Sequence, residues 1–231
     1  ALTNYLTSIG YPETSSTNIK FWNNCIHIIG KDILKFHAVY WPAMLMSAGI
    51  TVPKKVFGHG FLTREGMKMG KSLGNVLDPY ILLSKYGEDR VRWFLLKDIS
   101  LGSDGDFQAK RFVDIVNNDL ANTIGNLLNR TTSMSRKWFD NSVPEDIDTE
   151  DNSFLKLSRL SIDNYLNNFD KYNIHKACEE ILSFAVKINL YLNDKQPWVL
   201  IKDEQNTQEV KQIIYNVLES NRIIGLLLKP I

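Results

Sequence analysis

The expected architecture of this chain starts from a short apolar segment, Asn24-Cys25-Ile26-His27-Ile28-Ile29-Gly30. It is rich in β-branched residues and ends at a glycine, which predicts a strand. Residues 32–48 carry apolar side chains at helical spacing, and Pro42 within them predicts a kink or an early break. The run 55–62 reads as the next strand. Strand, helix and strand at these lengths predict a βαβ unit with a parallel sheet.

A nucleotide site is predicted at one edge of that sheet. Ligands of parallel sheets bind at the carboxyl ends of the strands, where Gly30-Lys31-Asp32 and Gly60-Phe61-Leu62 lie. A loop with two lysines follows, Lys68-Met69-Gly70-Lys71-Ser72. Because ammonium groups on flexible stems can follow the charge of a polyphosphate, the loop predicts a cationic flap over ATP. Taken alone, the pentapeptide fits an exposed basic turn equally well.

Composition limits the class of protein. The chain has 231 residues and 44% hydrophobic content, which suits one or two domains. Lys+Arg 27 against Asp+Glu 26 means that any nucleic-acid binding must use local residues. Cys25 and Cys178 have no CxxC partner, which argues against a zinc site or a disulfide framework. We find no leader or membrane-length apolar run, so we expect a soluble cytoplasmic protein without a membrane partner.

The middle of the chain contains two predicted helices and a break. Asp78 followed by Pro79 is typical of a helix start. Short helices are predicted to Tyr86 and over 88–97. The segment 101–106 is rich in Gly, Asp and Ser, and no strand pattern appears after it.

Everything beyond the break reads as helix, which predicts a helical bundle. The first helix, 107–139, places its apolar residues in one arc, whose members are Val113, Val116, Leu120, Ile124, Leu127, Met134 and Trp138. A neighbouring polar arc carries Asn122, Asn126 and Arg130. A proline-containing acidic loop spans 141–152. Three further amphipathic runs lie near 154–169, 174–192 and 209–228.

The lysine loop resembles the KMSKS signature of class I aminoacyl-tRNA synthetases, with Gly70 in place of the central serine. Other blocks resemble methionyl-tRNA synthetases specifically, and the similarity runs from Ala1 to Ile231 in family order. These blocks are Gly30-Lys31-Asp32-Ile33, Phe-His-Ala-Val-Tyr-Trp-Pro-Ala-Met-Leu at 36–45, Asn126-Leu-Leu-Asn-Arg130 and Gln196-Pro197-Trp198.

The resemblance implies an α/β plus all-α fold in three parts. Residues 1–76 are expected to form the second half of a Rossmann-type parallel-sheet catalytic domain. Residues 77–105 are expected to form a connecting, stem-contact-like segment, and 106–231 a helical anticodon-binding domain. The implied activity is ATP-dependent conversion of methionine to methionyl-adenylate, followed by transfer to tRNA(Met). Mg²⁺ is expected with the ATP, and no zinc site is expected in this chain.

The resemblance also implies roles for individual residues around ATP. Lys71 would stabilise the transition state as methionine attacks the α-phosphate, and Lys68 would assist with the phosphates, in agreement with the catalytic value of cations placed where charge develops. Gly30 and Asp32 match family positions near the ribose. The backbone at Leu62 and Met69 would frame the adenine.

A methionine pocket and an anticodon face are implied in the same way. The methionine-binding positions are Ala1, Leu2, Tyr5, Ile33 and His37. An apolar wall suits a thioether, although His37 could be a satisfied core histidine and the others ordinary packing. The anticodon-binding positions are Asn126, Arg130 and Trp198, with Asn122 as a weaker addition. Amide, guanidinium and indole groups suit splayed bases, but a core anchor and a solvated helix face are the alternatives.

The chain departs from the family pattern by an absence. The HIGH signature, the strand before Ala1 and the zinc-knuckle subdomain belong upstream in this family. Ala1 opens the chain without an initiator Met, so we expect a fragment that lacks the N-terminal half of the catalytic domain as its partner. Alone it is expected not to form methionyl-adenylate.

Two rival functions stay open at this point. Isoleucyl, valyl, leucyl and cysteinyl synthetases share the lysine signature, but the anticodon set and the 30–45 block point away from them. A non-catalytic tRNA-binding module is the second rival. Intact Lys68 and Lys71 argue against it, since a pure binder has no use for them.

Overall fold

The predicted βαβ unit is present in the computed structural model of this chain. Strands β1 (Ile26–Gly30) and β2 (Lys55–His59) pair in parallel, with Ile26 opposite Lys55 and Gly30 opposite His59. The segment between them is helical. The structure describes residues 1–148 and 152–231 and divides them into two compact units, 1–69 with 101–106, and 70–100 with 107–231.

The first unit surrounds this parallel pair with short helices and a second small sheet. Its remaining elements are α1 (Asn4–Ser8), α2 (Ser16–Asn23), a 3-10 turn (Lys31–Ile33), a π-helical turn (Phe36–Tyr40), α3 (Trp41–Ser47), β3 (Leu62–Arg64), β4 (Met67–Lys68) and β5 (Gly105–Phe107, whose last residue belongs to the second unit). Trp22, Trp41 and Leu45 form the buried centre.

The helix over 32–48 is irregular, as Pro42 predicted. A π-helical turn precedes α3, and Pro42 lies in the first turn of α3. Proline has no N–H for an intrahelical bond and its ring presses on the carbonyl four residues earlier. A regular helix therefore cannot run through this point, and the π turn accommodates the change.

The prediction of a single strand over 55–62 is wrong. β2 ends at His59, and Leu62 begins β3 in a separate three-stranded sheet of order β4-β3-β5, in which β3 and β4 are antiparallel. The interruption lies at Gly60, where a Cβ atom would overlap the backbone of Ser103 and Asp104. β5 is also a strand that the sequence did not indicate, because three residues are too few to show alternation.

The second unit is helical. Its elements are a 3-10 turn (Lys71–Leu73), α4 (Pro79–Tyr86), α5 (Glu88–Asp98), α6 (Ala109–Val116), a π-helical segment (Asn117–Gly125), α7 (Asn126–Trp138), α8 (Asn152–Asp170), α9 (Ile174–Lys195), α10 (Pro197–Leu200), a 3-10 turn (Glu204–Asn206) and α11 (Thr207–Leu228). The predicted cap is confirmed, since the Tyr80 N–H donates to Asp78 Oδ1 at 2.8 Å. The helices predicted to Tyr86 and over 88–97 are also confirmed.

The core of this unit follows the predicted periodicity with one exception. The three runs near 154–169, 174–192 and 209–228 lie within α8, α9 and α11, and α9 buries one side chain in almost every turn. The single helix predicted over 107–139 is instead divided by the π-helical segment. Within α6, Phe112 and Val116 face the core at i, i+4 spacing, which leaves Val113 41% exposed rather than in the apolar arc. The expected loop over 141–152 lies partly outside the described residues.

The two cysteines are expected to differ in reactivity. Cys178 is fully buried on α9, and burial raises the pKa of its thiol to about 12. Burial also raises the pKa of the Cys25 thiol, but Cys25 is partly exposed and so accessible to reagents. Because the thiolate is the reactive form, iodoacetamide at about pH 8 should alkylate Cys25 and spare Cys178 in the native protein. Mass spectrometry of tryptic peptides checks this. Guanidinium should release Cys178, and rapid native alkylation of Cys178 would contradict its burial.

Candidate functional site

The carboxyl edge of the parallel strands gathers two of the predicted ATP-binding residues. The Asp32 carboxylate folds back over the end of β1, where its Oδ1 would lie 2.5 Å from a Cβ at Gly30. Glycine at this position therefore leaves room for the carboxylate, which is itself exposed. Leu62, at the start of β3, and Met69, directly after β4, are both partly buried.

A charged cluster that the sequence did not single out lies at the same edge. Lys31 Nζ lies 2.6 and 2.8 Å from the two carboxylate oxygens of Asp104, and the Phe61 N–H donates to Asp104 Oδ1 at 2.7 Å. The Lys31 ammonium is also 4.9 Å from the centroid of the Phe61 ring. Lys31 and Asp104 are 73 positions apart, and Asp104 belongs to a segment that reads as a linker. No local pattern could have paired them.

The first signature lysine joins this cluster. Lys68 Nζ lies 5.3 Å from the centroid of the Phe61 ring. An aromatic ring attracts a cation to its face at such distances. Two ammonium groups and one aromatic ring therefore meet beside the ends of the parallel strands.

The hairpin that leads into the lysine loop is fixed by a second aspartate. Asp106 Oδ1 accepts hydrogen bonds from the Thr63 hydroxyl at 2.7 Å and from the Gly66 N–H at 2.8 Å. The turn between β3 and β4 contains Glu65 and Gly66, both with positive φ. The carboxylate of Asp106 thus holds a tight turn three positions before Met69.

In the second unit, the remainder of the lysine loop is a short ordered turn. The Gly70 N–H donates to Asn75 Oδ1 at 2.9 Å, and Gly74 has φ +61, a conformation that glycine adopts readily. Lys71 opens the 3-10 turn between them, and its side chain is exposed. The second signature lysine is therefore carried by a closed turn that does not use its side chain for packing.

Three of the predicted methionine-binding residues are in contact. The Tyr5 hydroxyl lies 3.0 Å from His37 Nε2, and His37 Nδ1 lies 3.0 Å from the Ile33 carbonyl oxygen. A carbonyl only accepts, so Nδ1 carries a proton and the Tyr5 hydroxyl can donate to a neutral ring at Nε2. Leu2 packs against the buried tryptophans of this unit, and Ala1 is exposed.

His27 is a member of this cluster that sequence reasoning missed. It is buried, its ring centroid lies 4.4 Å from that of Tyr5, and Trp41 Nε1 donates to His27 Nε2 at 3.2 Å. An indole N–H only donates, so the accepting nitrogen is unprotonated and the ring is neutral. Burial, and then the proximity of His37, lower the pKa of His27. Its position two residues before the buried Ile29 of β1 was the available signal.

The pKa of His27 predicts how stability depends on pH. Since it is lowered in the folded state from its ordinary value of 6.5, the unfolded chain binds more protons as pH falls through that value. The free energy of unfolding should therefore decrease progressively below about pH 6.5. Urea unfolding of wild type and His27→Gln over this range tests it, and the variant should show a flatter pH dependence. The exposed His59→Gln variant serves as the control, and equal slopes in wild type and His27→Gln would refute the assignment.

The predicted anticodon residues occupy one region of the second unit. Asn122 and Asn126 are exposed and help to line an open cavity of 460 Å³. The other residues lining it are Ala121, Gly125 and Asn129. A Cβ at Gly125 would lie 2.9 Å from the Leu120 carbonyl oxygen, so glycine fits the junction between the π-helical segment and α7.

Arg130 and Trp198 are in contact although they lie far apart in the chain. The Arg130 guanidinium carbon is 5.5 Å from the centroid of the Trp198 ring, and its Nη2 donates to Asn193 Oδ1 at 2.8 Å. Trp198 follows Pro197 on α10 and remains 38% exposed, so it is not a sealed core anchor. Asn193, on the preceding helix, was not predicted and offered no sequence signal of its role.

Two features are absent from residues 1–148 and 152–231, the part of the chain that the structure describes. No helix in these ranges is long and apolar enough to cross a bilayer. No group of three or more His, Cys, Asp and Glu side chains there is arranged to hold a metal ion.

Comparison with known proteins gives consistent matches. The family model described as tRNA synthetases class I (M) matches residues 1–132. The chain is 44% identical to the methionine–tRNA ligase of Synechocystis sp. (strain ATCC 27184 / PCC 6803 / Kazusa), covering 100% of this chain and 44% of that protein. It is 46% identical to the ligase of Nostoc sp. (strain PCC 7120 / SAG 25.82 / UTEX 2576), covering 100% and 45%. Methionyl-tRNA synthetase of Mycobacterium tuberculosis in complex with methionyl-adenylate superposes with a TM-score of 0.93 at 41% identity, covering 99% of this chain and 46% of that one. The chain therefore spans less than half the length of these relatives.

Proposed function

This chain belongs to the class I methionyl-tRNA synthetase family, and we propose that it contributes to two sites of such an enzyme. The first unit and the lysine loop take part in forming methionyl-adenylate from methionine and Mg²⁺–ATP. The second unit recognises the anticodon of tRNA(Met). In this proposal residues 1–76 belong to a Rossmann-type catalytic domain, 77–105 connect, and 106–231 bind the anticodon. A cytoplasmic location stays a prediction.

The observation that carries the catalytic proposal is the position of Lys68. Its ammonium lies against the Phe61 ring, directly beyond the end of a parallel strand, where ligands of such sheets bind. Lys71 is exposed on an ordered turn and has no packing role that a substrate would have to disturb. Cations in these places suit the triphosphate of ATP.

The chemistry follows from the charges. A methionine carboxylate oxygen forms a bond to the α-phosphorus while the bond to the leaving pyrophosphate breaks. Negative charge grows on the phosphate oxygens, and a cation held at that point lowers the barrier. We assign this role to Lys71 and the binding of the phosphates to Lys68. Asp32 beside Gly30 would accept hydrogen bonds from the ribose hydroxyls, and the backbone of Leu62 and Met69 would frame the adenine.

The methionine side chain is assigned to the cluster around Tyr5 and His37. Aromatic rings and the Ile33 side chain offer a polarizable, apolar surface to a thioether, which is a poor hydrogen-bond partner. The polar atoms of Tyr5 and His37 already bond to each other, so they do not require a polar ligand. Leu2 and Ala1 would complete the wall of the pocket.

Exposed apolar side chains in the first unit support a further partner. Ile28 on β1 is 60% exposed, and Phe36, Val39, Met44 and Met46 are also exposed. Four of the five lie within residues 36–46, and exposed apolar side chains that form a contiguous patch usually contact another surface. We propose that they pack against the N-terminal half of the catalytic domain, since the relatives are more than twice as long as the matched region.

The anticodon proposal rests on the contact between Arg130 and Trp198. An exposed indole can stack on an unpaired base, and a guanidinium can hydrogen-bond to a base edge. The open cavity beside Asn122 and Asn126 would admit a second base, whose Watson–Crick edge would meet the two amides.

A chimera tests both halves of the proposal. This chain replaces the aligned part of the Synechocystis ligase, and methionine-dependent ATP–pyrophosphate exchange and methionylation of tRNA(Met) are measured. We expect both activities from the chimera, and neither from the 231-residue chain alone. The Lys68→Ala/Lys71→Ala double variant is the matched control and should lose exchange while it keeps tRNA binding.

The other outcomes are equally informative. Cooperative unfolding would show that the chimera is folded. A folded chimera that binds tRNA(Met) but gives no exchange would favour the non-catalytic tRNA-binding module. Equal binding of tRNAs with CAU and unrelated anticodons would contradict the anticodon assignment and leave the catalytic one untouched.

A further inference from the structure

One carboxylate joins the ends of both parallel strands. Asp104 accepts hydrogen bonds from Lys31, which directly follows β1, and from the backbone of Phe61, which lies just beyond β2. The distances are 2.6 and 2.7 Å. We call Lys31, Phe61 and Asp104 the clasp.

The backbone brings Asp104 within reach of both partners. The Gly105 N–H donates to the Phe61 carbonyl at 2.9 Å, which pairs the two segments. Gly60 permits this approach, because a Cβ there would overlap the backbone of Ser103 and Asp104. The backbone of residues 103–105 therefore packs directly against residues 60–61, just after β2 ends.

The Asp104 carboxylate lies beside two positive charges at the Phe61 ring. The ammonium groups of Lys31 and Lys68 lie 4.9 and 5.3 Å from the centroid of the same ring, so two positive charges that repel each other are gathered around Phe61. The Asp104 carboxylate neutralises the Lys31 ammonium by direct contact. Hydrogen bonding from Lys31, and then from the Phe61 N–H, lowers the pKa of Asp104, which keeps it ionised at neutral pH.

We propose that Asp104 is a positioning residue for ATP, which fixes the Phe61 ring and withholds Lys31 so that Lys68 is the cation that meets the phosphates. This inference rests on the proposed adenylate-forming function. A purely stabilising role explains the clasp poorly. The side chains of Lys31 and Asp104 are 44% and 49% exposed, and exposed ion pairs contribute little to stability.

The kinetic test uses the chimera described above. Asp104→Asn keeps an oxygen that can accept from the Phe61 N–H but removes the charge that holds Lys31. We expect the KM for Mg²⁺–ATP in pyrophosphate exchange to rise about tenfold while kcat changes less than about twofold, because ATP is misplaced rather than the chemistry lost. Asp104→Glu should restore most of the affinity. Glu65→Gln removes the same charge from the exposed turn of the neighbouring hairpin and should change neither parameter.

A second readout does not depend on activity. Acetylation of Lys31 by a succinimidyl ester, followed by mass spectrometry, should be about two- to fivefold faster in Asp104→Asn than in wild type. Lys176, exposed on α9, provides the reference rate.

Each outcome decides between the possibilities. Unchanged Lys31 acetylation would show that the clasp does not hold Lys31, and a fall in kcat at constant KM would show that Asp104 does not position ATP. Either result would overturn the inference about Asp104 and leave the proposed function standing. Absence of exchange in the wild-type chimera would instead contradict the proposed function, and the acetylation rate would still decide whether the clasp exists.

Discussion

Replacing Lys71 with alanine is expected to lower methionine-dependent ATP–pyrophosphate exchange in the chimera by about 100-fold or more, the usual cost of removing one group that stabilises transition-state charge. The loss should appear in kcat, because the proposed interaction strengthens only as the α-phosphate gains charge. The KM for Mg²⁺–ATP should change little. This pattern is the opposite of the one expected for Asp104→Asn, so the two variants distinguish chemistry from positioning.

The local structure makes Lys71→Ala a clean substitution. The Lys71 side chain is exposed. The turn is closed by a hydrogen bond from the Gly70 backbone N–H to the Asn75 side chain, which does not involve Lys71. The variant should therefore fold as the wild type does. Lys176→Ala, which removes an exposed lysine from α9, controls for the loss of one positive charge and should leave exchange unchanged.

Arginine at position 71 tests the geometry of the charge. An ammonium is a compact charge on a flexible stem, whereas a guanidinium is planar and directs its donors in a fixed fork. Lys71→Arg should therefore recover only part of the lost rate. A loss smaller than about fivefold in Lys71→Ala would contradict the assignment of Lys71 to transition-state charge.

The sequence predicts the secondary structure of this protein well wherever one period holds over a whole element. The β-branched residues before Gly30 predict a strand from local sequence alone. The apolar periodicity of α8, α9 and α11 predicts helices in the same way. The helix start at Asp78 is predicted locally too, because a cap and a proline are local features. These elements could be placed without knowledge of what packs against them.

The differences arise where distant parts of the chain meet. β2 ends at His59 rather than Leu62 because the backbone of residues 103–104 occupies the space beside Gly60. The pairing of Lys31 with Asp104 is invisible for the same reason, since 73 residues separate them. The segment 117–125 has an ordinary amphipathic composition, and only the observed backbone reveals its π-helical geometry.

The candidate site was predicted unevenly for related reasons. The lysine loop is a contiguous sequence motif, so it can be recognised from sequence. His27 and Asn193 are single residues without a local pattern. Their roles depend on the Trp41 indole and the Arg130 guanidinium, which lie on other elements. Sequence therefore indicates which loop carries charge, but not which distant side chains contact one another.

Replacing Trp198 with alanine is expected to impair methionylation of tRNA(Met) and to spare adenylate formation. Methionylation of tRNA(Met) by the chimera should fall about 5- to 150-fold, since base–aromatic stacking is typically worth about 1–3 kcal/mol per base. ATP–pyrophosphate exchange without tRNA should stay within about twofold of the wild type, because the anticodon does not take part in forming the adenylate. Val199→Ala removes an exposed apolar side chain from the same short helix and should change neither activity.

The contact between Arg130 and Trp198 makes the combined substitution informative. The guanidinium carbon lies 5.5 Å from the indole centroid, so the two side chains would orient each other for the proposed contact with a base. The losses from Arg130→Ala and Trp198→Ala in methionylation should therefore not add in the double variant, where residues in contact commonly differ from additivity by about 0.5–3 kcal/mol. Additive losses would mean that the two side chains act on separate parts of the tRNA. An equal fall in exchange and methionylation in Trp198→Ala would instead assign the indole to packing, because only a structural role links α10 to adenylate formation.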